Sequence, residues 1–140
     1  MKQEIHLRPL SMKFFKWASL VNGLLFIYLT LLLLFKPEAF LADLNLQSSA
    51  TSLLILKRAA MFMLGVSIIS FLASNSKDAQ SRKAISLGFT AMLLGLSATG
   101  INALSTGIVS NSIITSIVIE AILGLCFLFC FIQNRKKQSE

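Results

Sequence analysis

An all-α integral membrane protein, built as a four-helix antiparallel bundle, is predicted by three features of this 140-residue chain. Apolar residues make up 55% of it and charged residues only 14%, with a mean hydropathy of +0.75, outside the range of soluble domains. The apolar residues gather in four windows, Phe14 to Phe35, Leu53 to Ala73, Ala84 to Leu104 and Ile113 to Ile132. Each window is about 20 residues long, which at ~1.5 Å per residue covers a hydrocarbon core of ~30 Å. One membrane domain over residues 1–140 follows, with little chain left for a soluble unit.

The first span is preceded by basic residues, as a cleavable leader would be. Its run from Trp17 to Phe35 exceeds the ~7–15 residues of a leader's apolar region, and no Ala-x-Ala follows it. It is therefore expected to stay as the first helix. The loop after it begins Pro37-Glu38, a helix-start pair with proline pre-set for the first position and an acid near the positive dipole end. Phe40, Leu41 and Leu44 then fall on one side, with Glu38, Asp43 and Asn45 elsewhere. That pattern predicts a short helix in the outer interface. The two later connections are short, so successive helices should run antiparallel and adjacent.

Orientation is read from the cations. Lys2, Arg8, Lys13 and Lys16 flank the first span, Lys77, Arg82 and Lys83 occupy the second loop, and Arg135, Lys136 and Lys137 close the chain. The first loop has Lys36 between Glu38 and Asp43, and Ser105 to Asn111 carry no charge. The positive-inside rule then places both termini and the middle loop in the cytoplasm. The net charge of +7 is explained by these flanks. Nucleic-acid binding is not expected, because the cations are divided among three short segments without interleaved aromatics. Membrane lipids are the expected partners, together with a protein partner or a second copy of the chain.

Small and polar residues recur at three- and four-residue spacing in every span. The third has Ala84, Gly88, Ala91, Gly95, Ala98 and Asn102; the fourth has Ser112, Ser116, Glu120 and Gly124. The first has Ser19, Asn22, Gly23 and Phe26, and the second Arg58, Phe62, Gly65 and Ile69. Such stripes let backbones approach closely, so Gly65, Gly88, Gly95 and Gly124 are expected at helix contacts. Counted from the outer ends of their helices, Arg58 and Glu120 lie ~9 and ~12 Å down and can be level. A guanidinium suits a carboxylate, and neither ion is stable alone in hydrocarbon. Glu120 is expected to pair with Arg58, to line a polar pocket in the outer half with Asn102 and Ser116, or to titrate as a proton carrier.

Catalytic constellations are missing from the sequence. His6 stands alone in the N-terminal flank, and Cys126 and Cys130, one helical turn apart, have neither a CxxC pattern nor nearby histidines. No metal or cofactor is expected, and the cysteines read as reduced packing residues. Trp17 fits an interface anchor.

The order of features resembles small bacterial four-helix membrane proteins of the broad DoxX-like type. The resemblance rests on Lys36-Pro37-Glu38-Ala39-Phe40-Leu41 after the first span, Arg58-Ala59-Ala60-Met61-Phe62-Met63-Leu64-Gly65 in the second, and the polar turn from Asn75 to Lys83. It extends over most of the chain. It implies a multi-pass protein of the bacterial inner membrane, some of whose relatives are linked to quinone-dependent sulfur oxidation or redox-stress assemblies. The Arg58 match implies an outer-half polar site and no catalytic role. Two functions are thus expected: a non-catalytic protein that binds a lipid-like or hydrophobic ligand or serves as an accessory subunit, and alternatively a small proton-coupled transporter using Glu120.

Overall fold

The computed structural model describes the backbone of residues 4–136 and the side chains of residues 12–134. His6, Lys2, Arg8, Arg135, Lys136 and Lys137 thus have side chains outside the described ones. The described chain is helical throughout: α1 Glu4–Phe35, α2 Pro37–Asp43, α3 Ala50–Ser74, α4 Ala79–Ser105 and α5 Ile113–Lys136, with no strand among the described residues. Four of these are long and apolar enough to cross a membrane: Met12–Phe35 of α1, α3, α4, and Ile113–Asn134 of α5. No more than 39% of any spanning window is buried in the protein, so most of each helix turns apolar side chains outward. Phe35, Phe62, Leu72 and Ile122 are among them. An apolar surface this continuous has no stable place in water, and it defines a multi-pass membrane protein. Four crossings would leave the start of α1 and the end of α5 on the same side.

Helix boundaries follow the caps more closely than the apolar windows. Ser49 and Ser52 form a reciprocal capping box that starts α3 three residues ahead of the apolar run. Asp78 starts α4, accepting from the backbone N–H of Gln80 at 3.3 Å and of Ser81 at 2.7 Å. α2 forms as expected, with Pro37 first and Glu38 in its first turn. In the turn between α3 and α4, the buried Arg82 reaches back and donates to the carbonyls of Ser76 at 3.1 Å and Lys77 at 2.8 Å.

Hydrogen bonds from Ser81, through its hydroxyl and then its N–H, hold the Asp78 carboxyl below its ordinary value of 3.8. A depressed folded-state value means that the cap stabilises α4 fully above about pH 4. Its contribution falls away as the pH drops below the unfolded value and through the folded one. Amide exchange at Gln80 and Ser81, corrected for intrinsic rate, should accelerate over that acid window. Asp78→Asn, which keeps a capping oxygen without a titrating group, should flatten the response; an unchanged profile would remove Asp78 as its source.

The helices pack as two antiparallel pairs, α1 with α3 and α4 with α5, joined chiefly where α1 meets α5. At that junction Phe127 is wholly buried between Phe15, at 6.3 Å, and Phe89, at 5.0 Å, both edge to face. Ala18, Phe26, Ala73, Leu93, Leu123 and Cys130 complete the core. At the other end Ser110 and Ser112 donate to the carbonyl of Asp43, and the Ser110 N–H to that of Leu44. The start of α5 is thereby tied to the end of α2.

Candidate functional site: an apolar groove between α1 and α5

Polar side chains hold α1 to α3. Asn22 donates to the Ser70 hydroxyl at 2.8 Å, Ser67 donates to the carbonyl of Gly23 at 2.9 Å, and Thr30 donates to its own helix at Phe26 and lies 3.4 Å from the carbonyl of Ala60. The first-span stripe of Ser19, Asn22, Gly23 and Phe26 is therefore a packed face, all four residues being buried. At Gly23 a Cβ would come within 3.0 Å of the Phe71 ring, so the glycine admits that ring. Between α4 and α5, Ser97 donates to the carbonyl of Ile117 at 3.3 Å.

The other stripes divide. Gly124 is buried, and a Cβ there would stand 2.8 Å from Leu94 Cδ2 and 3.3 Å from the Leu94 backbone nitrogen. Gly65, Gly88 and Gly95 make no such approach; a Cβ on any of them would meet nothing within 4 Å. Ala84, Gly88, Ala91, Gly95, Ala98 and Asn102 are all exposed, as are Arg58, Phe62 and Ile69. Hence within this chain α4 and α3 turn those stripes outward, and pack instead through Ser86, Thr90, Leu93 and Ser97 on α4 and through Ala60, Ser67, Ser70 and Ser74 on α3. Gly124→Ala should therefore lower stability, because Leu94 and its backbone must shift, while Gly95→Ala should leave it equal or slightly raised through better helix propensity. Thermal unfolding in a mild detergent compares them; equal losses would mean that both glycines touch a neighbour.

Arg58 and Glu120 do not meet. Arg58 is exposed on α3, Glu120 half-buried on α5, and neither has an ion pair or side-chain hydrogen bond among the described residues. Counting along α1 explains the separation. Phe127 lies against Phe15 and Glu120 is two turns further out, which sets it opposite Asn22; Ala60 lies against Thr30 and Arg58 is two residues beyond, opposite Leu32. About ten residues of α1, or ~15 Å, separate those levels. The two helix pairs are displaced along their axes, so distances counted from each helix start do not share one origin. Asn102 and Ser116 are both exposed and complete no polar pocket with Glu120.

A concave feature lies beside Glu120 rather than at it. Val21, Leu24, Leu25 and Tyr28 of α1 and Ile119, Ile122 and Leu123 of α5 enclose a groove of about 550 Å³. That volume falls within the ~300–1,000 Å³ common for small-molecule sites. Its walls are aliphatic, and the Tyr28 hydroxyl is the one polar side-chain group among its lining residues. Leu24, Tyr28 and Ile122 are exposed, so the groove opens sideways toward the bilayer, while Leu25 and Leu123 form its floor against the core. The groove exists because α1 and α5 close on each other at Phe15 and Phe127 and part beyond. Sequence reasoning missed it, since its aliphatic side chains look like any lipid-facing surface. Cys126 is half-buried and Cys130 buried, both free thiols, and no cluster of His, Cys, Asp or Glu suited to a metal occurs among the described residues.

Fold and groove together define a multi-pass helical membrane protein with a lateral apolar cleft. Comparison with known proteins finds no match to the chain among protein families, curated proteins or solved structures.

Proposed function

We propose that this protein is a non-catalytic membrane protein, of the bacterial inner membrane as the DoxX-like resemblance implies, that holds a lipid-like or hydrophobic ligand between α1 and α5. The groove of about 550 Å³ carries this reading. Its walls suit an acyl or polyisoprenoid chain, which gains dispersion contacts on two sides that a flat helix surface supplies on one. The Tyr28 hydroxyl suits a carbonyl or hydroxyl at the ligand's polar end. Titration of the detergent-solubilised protein with a fluorescent long-chain polyene fatty acid tests it: saturable binding with about one site per chain supports the reading, and linear partitioning like that of empty micelles contradicts it.

A second reading is favoured by Glu120, which is half-buried with no counter-ion among the described residues. A solitary membrane carboxylate suits proton exchange. Proton-coupled flux in vesicles, abolished by Glu120→Gln, would select this reading over passive ligand holding. The outward small-residue face of α4 suits close approach by a helix of a partner subunit or a second copy, the arrangement an accessory subunit needs.

A further inference from the structure

Lys57 and Arg58 are adjacent on α3, about two turns in from its start at Ala50, and both are exposed. Neither side chain has an ion pair or hydrogen bond among the described residues. Ala60, Ser67 and Ser70 mark the face of α3 that packs on α1. At ~100° per residue the two cations fall on either side of the opposite line, the one that passes through Leu54, Met61 and Gly65. Leu54 and Met61 are exposed, and the space beside Gly65 is open. Two positive charges without an acid thus flank an apolar strip on the surface this span turns to the bilayer.

Cations are too costly to leave in hydrocarbon, and their stems are long enough to carry the charged heads toward the nearer headgroups, ~10–12 Å away along the helix. We infer that Lys57 and Arg58 clasp the phosphate of an anionic phospholipid whose acyl chain lies along Met61 and Gly65. The guanidinium presents paired N–H donors to phosphate oxygens, and the ammonium adds a compact second charge. A zwitterionic lipid is disfavoured, because its own ammonium is repelled by whichever cation its phosphate leaves unpaired. The site is separate from the α1–α5 groove, so it stands or falls independently of the ligand proposed there.

The chain has one tryptophan, Trp17, on α1. In a Trp17→Phe background, Leu54→Trp puts an indole on the same line one turn nearer the headgroups. Quenching of that indole is then measured in phosphatidylcholine vesicles that contain either brominated phosphatidylglycerol or brominated phosphatidylcholine. The anionic lipid should associate roughly fivefold more strongly at this position, and Lys57→Gln/Arg58→Gln should bring the two lipids close to parity. Both cations are exposed, so the double variant should keep its helicity, which circular dichroism checks; the conservative Arg58→Lys should keep most of the preference. Parity in the parent, or an unchanged preference in the double variant, would overturn the inference. Inorganic phosphate at constant ionic strength should leave the preference intact, and its abolition would assign the fork to a free anion instead of a lipid.

Discussion

Phe127→Ala is expected to be the most damaging single truncation in the chain, with a loss of ~3–5 kcal/mol. The ring is wholly buried and touches Phe15 of α1 and Phe89 of α4, so it belongs to both helix pairs at once. Lipid tails cannot refill the space, because the junction is closed to them, and association of membrane helices depends on such van der Waals contact rather than on exclusion of water. Phe129→Ala is the matched control. That ring also touches an aromatic, Phe14, but both are exposed and lipid can replace the lost contact. Reversible unfolding in mixed micelles should show a large loss for the first variant and a small one for the second. Similar losses would mean that the α1–α5 junction is not where the pairs are held together.

Filling the groove is expected to remove ligand binding while leaving the fold intact. Leu24 and Ile122 stand on opposite walls and are exposed, so Leu24→Trp or Ile122→Trp adds bulk to the cleft without entering the core. Affinity for the polyene fatty acid should fall at least about tenfold, equivalent to ~1.4 kcal/mol. Leu72→Trp, at an equally exposed site on α3 outside the groove, should change it little. Tyr28→Phe should weaken the fatty acid several-fold through loss of one hydrogen bond, of order 0.5–1.5 kcal/mol. A probe without a polar end should be indifferent to that change.

The spans, the short helix at Pro37 and the antiparallel order were legible because they depend on length, hydropathy and caps, all local quantities; the expected packing of α3 on α4 across their short turn is not found, since α3 packs on α1 and α4 on α5. Which face of each span is packed was legible only for α1, where Asn22 and Ser19 sit beside Gly23. On α3 and α4 small residues lie on both faces: Gly88, Ala91 and Gly95 point outward while Ser86, Thr90 and Ser97 point inward. In a bilayer Gly and Ala are tolerated against lipid, whereas serine is drawn to packed faces, where the hydroxyls of Ser67 and Ser97 find a carbonyl across the interface and those of Ser19 and Ser86 are buried without a partner. Serines at three- and four-residue spacing, Ser67, Ser70 and Ser74, were the better signal. The level of Glu120 relative to Arg58 was not legible at all, because it depends on how the α4–α5 pair is displaced along α1, a tertiary quantity set by the Phe15, Phe89 and Phe127 contacts.

The most direct measurement is photolabelling of the protein in vesicles with a fatty acid that carries a diazirine in its chain, followed by mass spectrometry of the labelled peptides. A ligand held in the cleft predicts label concentrated at residues 21–28 of α1 and 119–123 of α5, lost when unlabelled fatty acid is in excess and lost in Ile122→Trp. Label spread evenly over exposed positions such as Phe62 and Leu72, and insensitive to competitor, would contradict the account and leave the groove as ordinary lipid-facing surface.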